Sequence, residues 1–62
     1  MFATGDRVRT ISRVHGPMTG EIVRVTRWRH KVYYHVDWQC SSGDQIKSKE
    51  LAGRDDRDWE KI

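Results

Sequence analysis

Every strand-like stretch in this chain is short, and each is bounded by glycine or by polar residues. Gly5-Asp6-Arg7-Val8-Arg9 comes first, and Gly16-Pro17-Met18-Thr19-Gly20-Glu21-Ile22-Val23-Arg24-Val25 follows. Tyr34-His35-Val36-Asp37-Trp38 is the third, and Gly43-Asp44-Gln45-Ile46 with Glu50-Leu51 the last. Side chains that alternate with a period of two stand on opposite faces of a strand, and glycine supplies the turns between strands. The pattern is that of a very small all-β barrel, a single domain over residues 1–62. A chain this short buries only about 60% of the surface its unfolded form exposes, so its core is thin. Three Trp, two Tyr and one Phe in 62 residues nevertheless exclude a disordered chain.

Composition narrows the setting. Cys40 is the only cysteine, so there is no internal disulfide and no thiolate zinc site. Small secreted domains are usually disulfide-stapled, and a reducing cytosol is the expected compartment. No leader segment is legible, and no apolar run is long enough to span a bilayer. Residues 1–49 carry a net charge of +5 and residues 50–62 one of −2. A basic body with an acid-leaning tail favours anionic partners.

Along the chain, Val8 is expected to point inward with Arg7 and Arg9 on the other face. Ser12–Thr19 is expected to be a loop. From Glu21 to Trp28 the apolar residues Ile22, Val23 and Val25 break alternation, which predicts a bulge. Arg29-His30-Lys31 is the expected hairpin tip, longer than two residues because no Asn-Gly signal is present. In the strand Val32–Gln39, Tyr34, Val36 and Trp38 share the core face, with Tyr33, His35 and Asp37 opposite. A short strand from Asp44 to Lys47 places Ile46 inward, and a short helical turn over residues 48–51 is expected to drop Leu51 into the core. Residues 53–62 are either a tail or a closing strand ending in Trp59-Glu60-Lys61-Ile62.

These residues resemble the small SH3-like barrels of the KOW and Tudor-like type, over about residues 3–51. The resemblance implies a five-stranded SH3-like barrel that acts as a binding platform. The chain is also similar to the plasmid-borne type II dihydrofolate reductases. That likeness rests on Gly5-Asp6-Arg7-Val8-Arg9, Gly20-Glu21-Ile22-Val23, the Tyr34-His35-Val36 strand, and Gln45-Ile46 followed by Leu51. Lys47 stands where that family carries a tyrosine, and Thr10-Ile11 lack the lysine it carries after its arginine-containing strand. The resemblance therefore implies a shared fold without the activity.

Arg24, Arg27, Arg29, His30 and Lys31 form a basic cluster, with Arg7 and Arg9 on a neighbouring strand. Arg27-Trp28-Arg29 interleaves a ring with two guanidinium groups. Such a set suits nucleic acid, because cations neutralise phosphate and a ring stacks on an unpaired base. The plain alternative is a solvated hairpin whose charges keep a strand edge from aggregating. The Tudor-like resemblance implies a second use, an aromatic cage for a methylated Lys or Arg, with Tyr33 and Trp59 as candidates beside Trp28. His15, His30 and His35 lack metal spacing, and His35 with Asp37 is expected to be two polar residues on a wet strand face. Asp55, Asp56 and Asp58, among Arg54 and Arg57, do not have calcium-loop spacing and are expected to be solvated.

The expected function is thus a non-enzymatic module with no cofactor and no membrane partner. It is expected to bind nucleic acid through Arg7, Arg9, Arg24, Arg27, Arg29 and Lys31, with Trp28 stacking. A protein-interaction module using Tyr33, His35, Trp59 or an open strand edge is the alternative. An oligomeric reductase is the third reading.

Overall fold

Alternation in Arg7–Ser12 (β1) buries Val8 completely and leaves Arg7 and Arg9 exposed, as the sequence pattern requires. The computed structural model describes residues 1–62 and contains four further strands: Gly16–Trp28 (β2), Lys31–Cys40 (β3), Gln45–Leu51 (β4) and Glu60–Lys61 (β5). All pairs are antiparallel, in the order β4-β3-β2-β1-β5. The fold is all-β and compatible with an SH3-like fold, but hydrogen bonds do not close the sheet into a barrel. No helix is long and apolar enough to cross a membrane.

Three local expectations are corrected. The residues read as a helical turn, Ser48–Leu51, continue β4: Ser48, Lys49, Glu50 and Leu51 pair with Val36, His35, Tyr34 and Tyr33. Leu51 accordingly lies half-buried opposite Tyr33, outside the core cluster. Most of the expected Ser12–Thr19 loop is strand, because Ser12 already pairs with Gly16. In that turn, Ser12 Oγ accepts the backbone N–H groups of Val14 and His15. The distal hairpin tip is also shorter than expected, since Trp28 pairs with Lys31 and only Arg29 and His30 remain as the loop.

The core lies on one face of the sheet. Val8, Ile22, Tyr34, Val36 and Trp38 form its buried cluster, with Phe2, Met18, Val25, Ile46, Ala52 and Trp59 packed against them. Four aromatic rings make its centre. Trp59 meets Trp38 edge-on at 5.1 Å, and lies 5.8 Å from Tyr34 and 5.9 Å from Phe2. Phe2 in turn meets the Tyr34 ring at 5.8 Å. The polar atoms inside this stack are satisfied: Tyr34 Oη accepts the Phe2 N–H, and Trp38 Nε1 donates to Ser48 Oγ. Cys40 is buried at the end of β3 as a free thiol.

Trp59 reaches the core through a strap of turns over residues 52–59. Ala52 N–H donates to Val32 O, which ties the start of the strap to β3. Asp55 accepts the Leu51 N–H at 2.7 Å and Asp56 accepts the Gly53 N–H at 2.7 Å. These acids act as turn formers. Residues 60–61 then pair with β1 at Arg9 and Val8, and Ile62 N–H donates to Arg7 O.

Gly20 sits where β2 crosses beneath the Trp38 indole. A Cβ at this position would lie 2.5 Å from Trp38 Cε3 and 2.7 Å from Val36 Cγ1, both inside van der Waals contact. Gly20→Ala is expected to destabilise the fold by about 1–3 kcal/mol, as overpacking does. A urea midpoint equal to that of the parent protein would contradict this account of the glycine.

Candidate nucleic-acid interface

The face opposite the core is legible from the strand register alone, because paired residues share a face. Its lower rows are Arg9–Thr19–Gln39–Gln45 and Arg7–Glu21–Asp37–Lys47. Above them a β-bulge interrupts β2 between Ile22 and Arg24. Continued alternation from Ile22 would turn Arg24 toward the core. The extra residue, Val23, instead pairs Arg24 with His35 on the outer face and returns Val25 to the inner face opposite Tyr34.

Beyond the bulge, the outer face reads Arg24–His35–Lys49, then Thr26–Tyr33–Leu51, then Trp28–Lys31. No carboxylate occupies any of these three rows. Trp28 is 62% exposed, and the Arg29 guanidinium lies over its ring at 4.6 Å. Lys49 Nζ lies 4.6 Å from the Tyr33 ring centroid. Such cation–π contacts hold long basic side chains over rings and leave their donors available.

The structure therefore divides the residues singled out in the sequence. Arg24, Trp28, Arg29, Lys31, Tyr33 and His35 gather on the outer face and its hairpin tip. Arg27 pairs with Val32 and belongs to the opposite face. Arg9 is held by Glu60, with Nη2 to Oε2 at 2.8 Å and Nε donating to the same oxygen. Arg7 stands opposite Glu21, so Glu21 and Asp37 separate it from Lys47. Trp59 is packed into the aromatic stack and is not a free ring. Lys49 was missed in the sequence, although the spacing Lys47-x-Lys49 would have placed it beside His35 had residues 48–51 been read as strand. No group of three or more His, Cys, Asp or Glu side chains is arranged to hold a metal ion. A depression of about 830 Å³ lies at the other end of the sheet among Arg9, Ile11, Pro17, Met18, Asp58 and Glu60, where charges of both signs meet.

The charges of this face act on His35. It is half-buried, and its Nε2 lies 2.9 Å from Thr26 Oγ1. Burial, then the charges of Arg24 and Lys49, hold its pKa below the ordinary value of 6.5. On the opposite face, burial and the nearby Asp55 push the Glu50 carboxyl up, with Arg54 opposing. Asp55 itself is lowered by hydrogen bonds from Arg54 and the Leu51 N–H.

No family model matches this chain, and no curated protein or solved structure matches it. The likeness to KOW, Tudor-like and type II dihydrofolate reductase sequences thus rests on the motif residues alone.

Two outcomes are expected from this geometry. A depressed folded pKa at His35 means that the unfolded chain takes up the proton first as pH falls. Its contribution to stability is full above about pH 6.5 and is lost as pH drops through the lower folded value. Urea midpoints measured on either side of that window should fall further for the parent than for His35→Gln, while Glu50 titrates in both proteins and cancels. Equal losses would contradict the assignment. The second outcome concerns Arg29, which has φ 57° at the first position of the two-residue turn. Left-handed backbone costs a side-chain-bearing residue roughly 1–2 kcal/mol. Arg29→Gly should therefore keep or raise the thermal midpoint while removing the cation, and a lowered midpoint would argue that its contact with Trp28 outweighs the backbone strain.

Proposed function

We propose that the protein binds single-stranded nucleic acid on the outer face of β2, β3 and β4 beyond the bulge. The observation that carries this reading is the set of three rows in which Arg24, Lys49 and Lys31 share a face with Tyr33 and the exposed Trp28, with no carboxylate among them. The cations can neutralise a phosphate backbone, and the exposed indole offers a base a stacking surface. An exposed indole stacks on a base only when that base is unpaired, which favours a single strand over a duplex. Binding of this kind is expected to be micromolar or weaker and to require no cofactor. Relative to the sequence expectation, the site loses Arg7, Arg9 and Arg27 and gains Lys49.

One further observation favours a second reading. β4 is a seven-residue edge strand with one side unpaired, and it carries Lys47 and Lys49 on the same face. An acidic peptide could add there as a further strand. The charge spacing along β4 supports that mode, but it does not use Trp28.

Fluorescence titration with a short oligothymidylate at several salt concentrations tests the leading reading. Four cations on phosphate predict a slope of log K against log salt of about −3. Trp28→Ala should weaken binding by about 1–3 kcal/mol, the usual contribution of one stacked base. Arg9→Ala, whose cation is already paired with Glu60, should change it little. Absence of binding at low ionic strength, or affinity indifferent to salt, would sink the proposal.

A further inference from the structure

The row Arg24–His35–Lys49 differs from the rest of the interface in placing a titratable imidazole between two cations. Strands lie about 4.8 Å apart, so the backbones under Arg24 and Lys49 are roughly 10 Å apart with His35 midway. Both flanking side chains are exposed and long enough to lean over the imidazole. Lys49 is held toward the hairpin side of His35 by the Tyr33 ring. Thr26 Oγ1 lies 2.9 Å from Nε2 of His35, which fixes the ring's orientation.

The groups around His35 can be named from every packed element. β2 contributes Arg24 and Thr26 directly, with Glu21 one row away across the bulge. β3 contributes Tyr33 and Asp37 at the neighbouring positions of the same face, and β4 contributes Lys49, with Lys47 one row away. The two carboxylates in this set each have a cation opposite: Arg7 faces Glu21 and Lys47 faces Asp37. The field at the imidazole is therefore that of Arg24 and Lys49, and it opposes a third positive charge. A bound anion reverses this field, because its negative charge offsets both cations and favours the imidazolium.

We propose that Arg24, His35 and Lys49 form a proton-coupled phosphate site, in which one phosphodiester or other oxyanion lies across the row and His35 takes up a proton from solvent as it binds. The proposal rests on the nucleic-acid reading for the identity of the ligand, but the anion site itself does not. Protonation turns a neutral imidazole between two cations into a third donor. Coupling of one proton makes affinity rise by up to about tenfold for each unit by which pH falls, over the range in which free His35 is neutral and bound His35 is charged. The acid limb of such binding would be set by this residue.

The test uses two probes whose own charge does not change near neutrality. Sulfate is a non-titrating stand-in for phosphate, and thymine has no group that titrates near neutrality. The His35 imidazole would be titrated by NMR in sodium sulfate and in sodium chloride at equal ionic strength. The expected result is a higher His35 pKa in sulfate than in chloride, a difference lost in the double variant Arg24→Gln with Lys49→Gln. In parallel, oligothymidylate affinity should rise as pH falls for the parent protein and stay flat for His35→Gln. A His35 pKa that ignores sulfate overturns the proposal, as does a pH dependence that survives His35→Gln. An oligothymidylate that binds at no pH overturns the nucleic-acid reading instead, and the sulfate shift then decides the anion site by itself.

Discussion

The fold depends on one contact set, the packing of Trp59 and Phe2 against Tyr34 and Trp38. An open five-stranded sheet of this size has one face to bury and no second layer with which to bury it. The two ends of the chain supply that layer. Phe2 arrives before β1 and Trp59 after the strap, and both rest on the same tyrosine. Offset and edge-on ring pairs of this kind add about 0.5–1.5 kcal/mol each beyond the apolar area they remove from water. In a domain with only five residues in its buried cluster, such increments are a large share of the total. Closure is thus achieved by side chains where a hydrogen-bonded barrel would use backbone.

The same arrangement separates stability from recognition. All four rings of the stack lie on the inner face, so the aromatic core takes no residue from the outer face. The bulge at Val23 then decides what that face carries. It moves Arg24 outward and Val25 inward in a single step, so one inserted residue both completes the core beside Tyr34 and begins the cationic row. Below the bulge, charges of both signs share the face, as in the row Arg7–Glu21–Asp37–Lys47. Above it, the rows hold cations, rings and neutral residues only.

Much of this was legible in the sequence, for identifiable reasons. Tyr34, Val36 and Trp38 alternate with polar residues without interruption, so their face could be assigned. Ile22, Val23 and Val25 break the period where the bulge occurs. The errors arose where local signals were weak. Ser48–Leu51 contains no β-branched residue, and a helical turn was a reasonable reading; strand pairing with β3 overrides local preference there. That error concealed Lys49. The docking of Trp59 was not legible, because nothing near residue 59 specifies a partner at residue 34 or 38. The acids at 55 and 56 offered a partial signal, since short carboxylates bonding nearby N–H groups form turns. In the site, Arg9 and Arg27 could not be separated from Arg24 without knowing that Glu60 returns to β1 and that Arg27 pairs with Val32.

The ring contact between Phe2 and Trp59 also bears on how the chain reaches its native state. It closes a loop of nearly the whole sequence, and bringing such distant residues together carries the largest chain-entropy penalty in the molecule. The β2–β3 hairpin, by contrast, needs only a two-residue turn. Its pairing can precede every other, and it presents Tyr34 and Trp38 as a surface before either end arrives. The aromatic clasp therefore carries a far larger closure cost than the hairpin on which it rests. Brief undocking of Trp59 would expose the Tyr34 and Trp38 rings while leaving the cationic outer face of the hairpin in register.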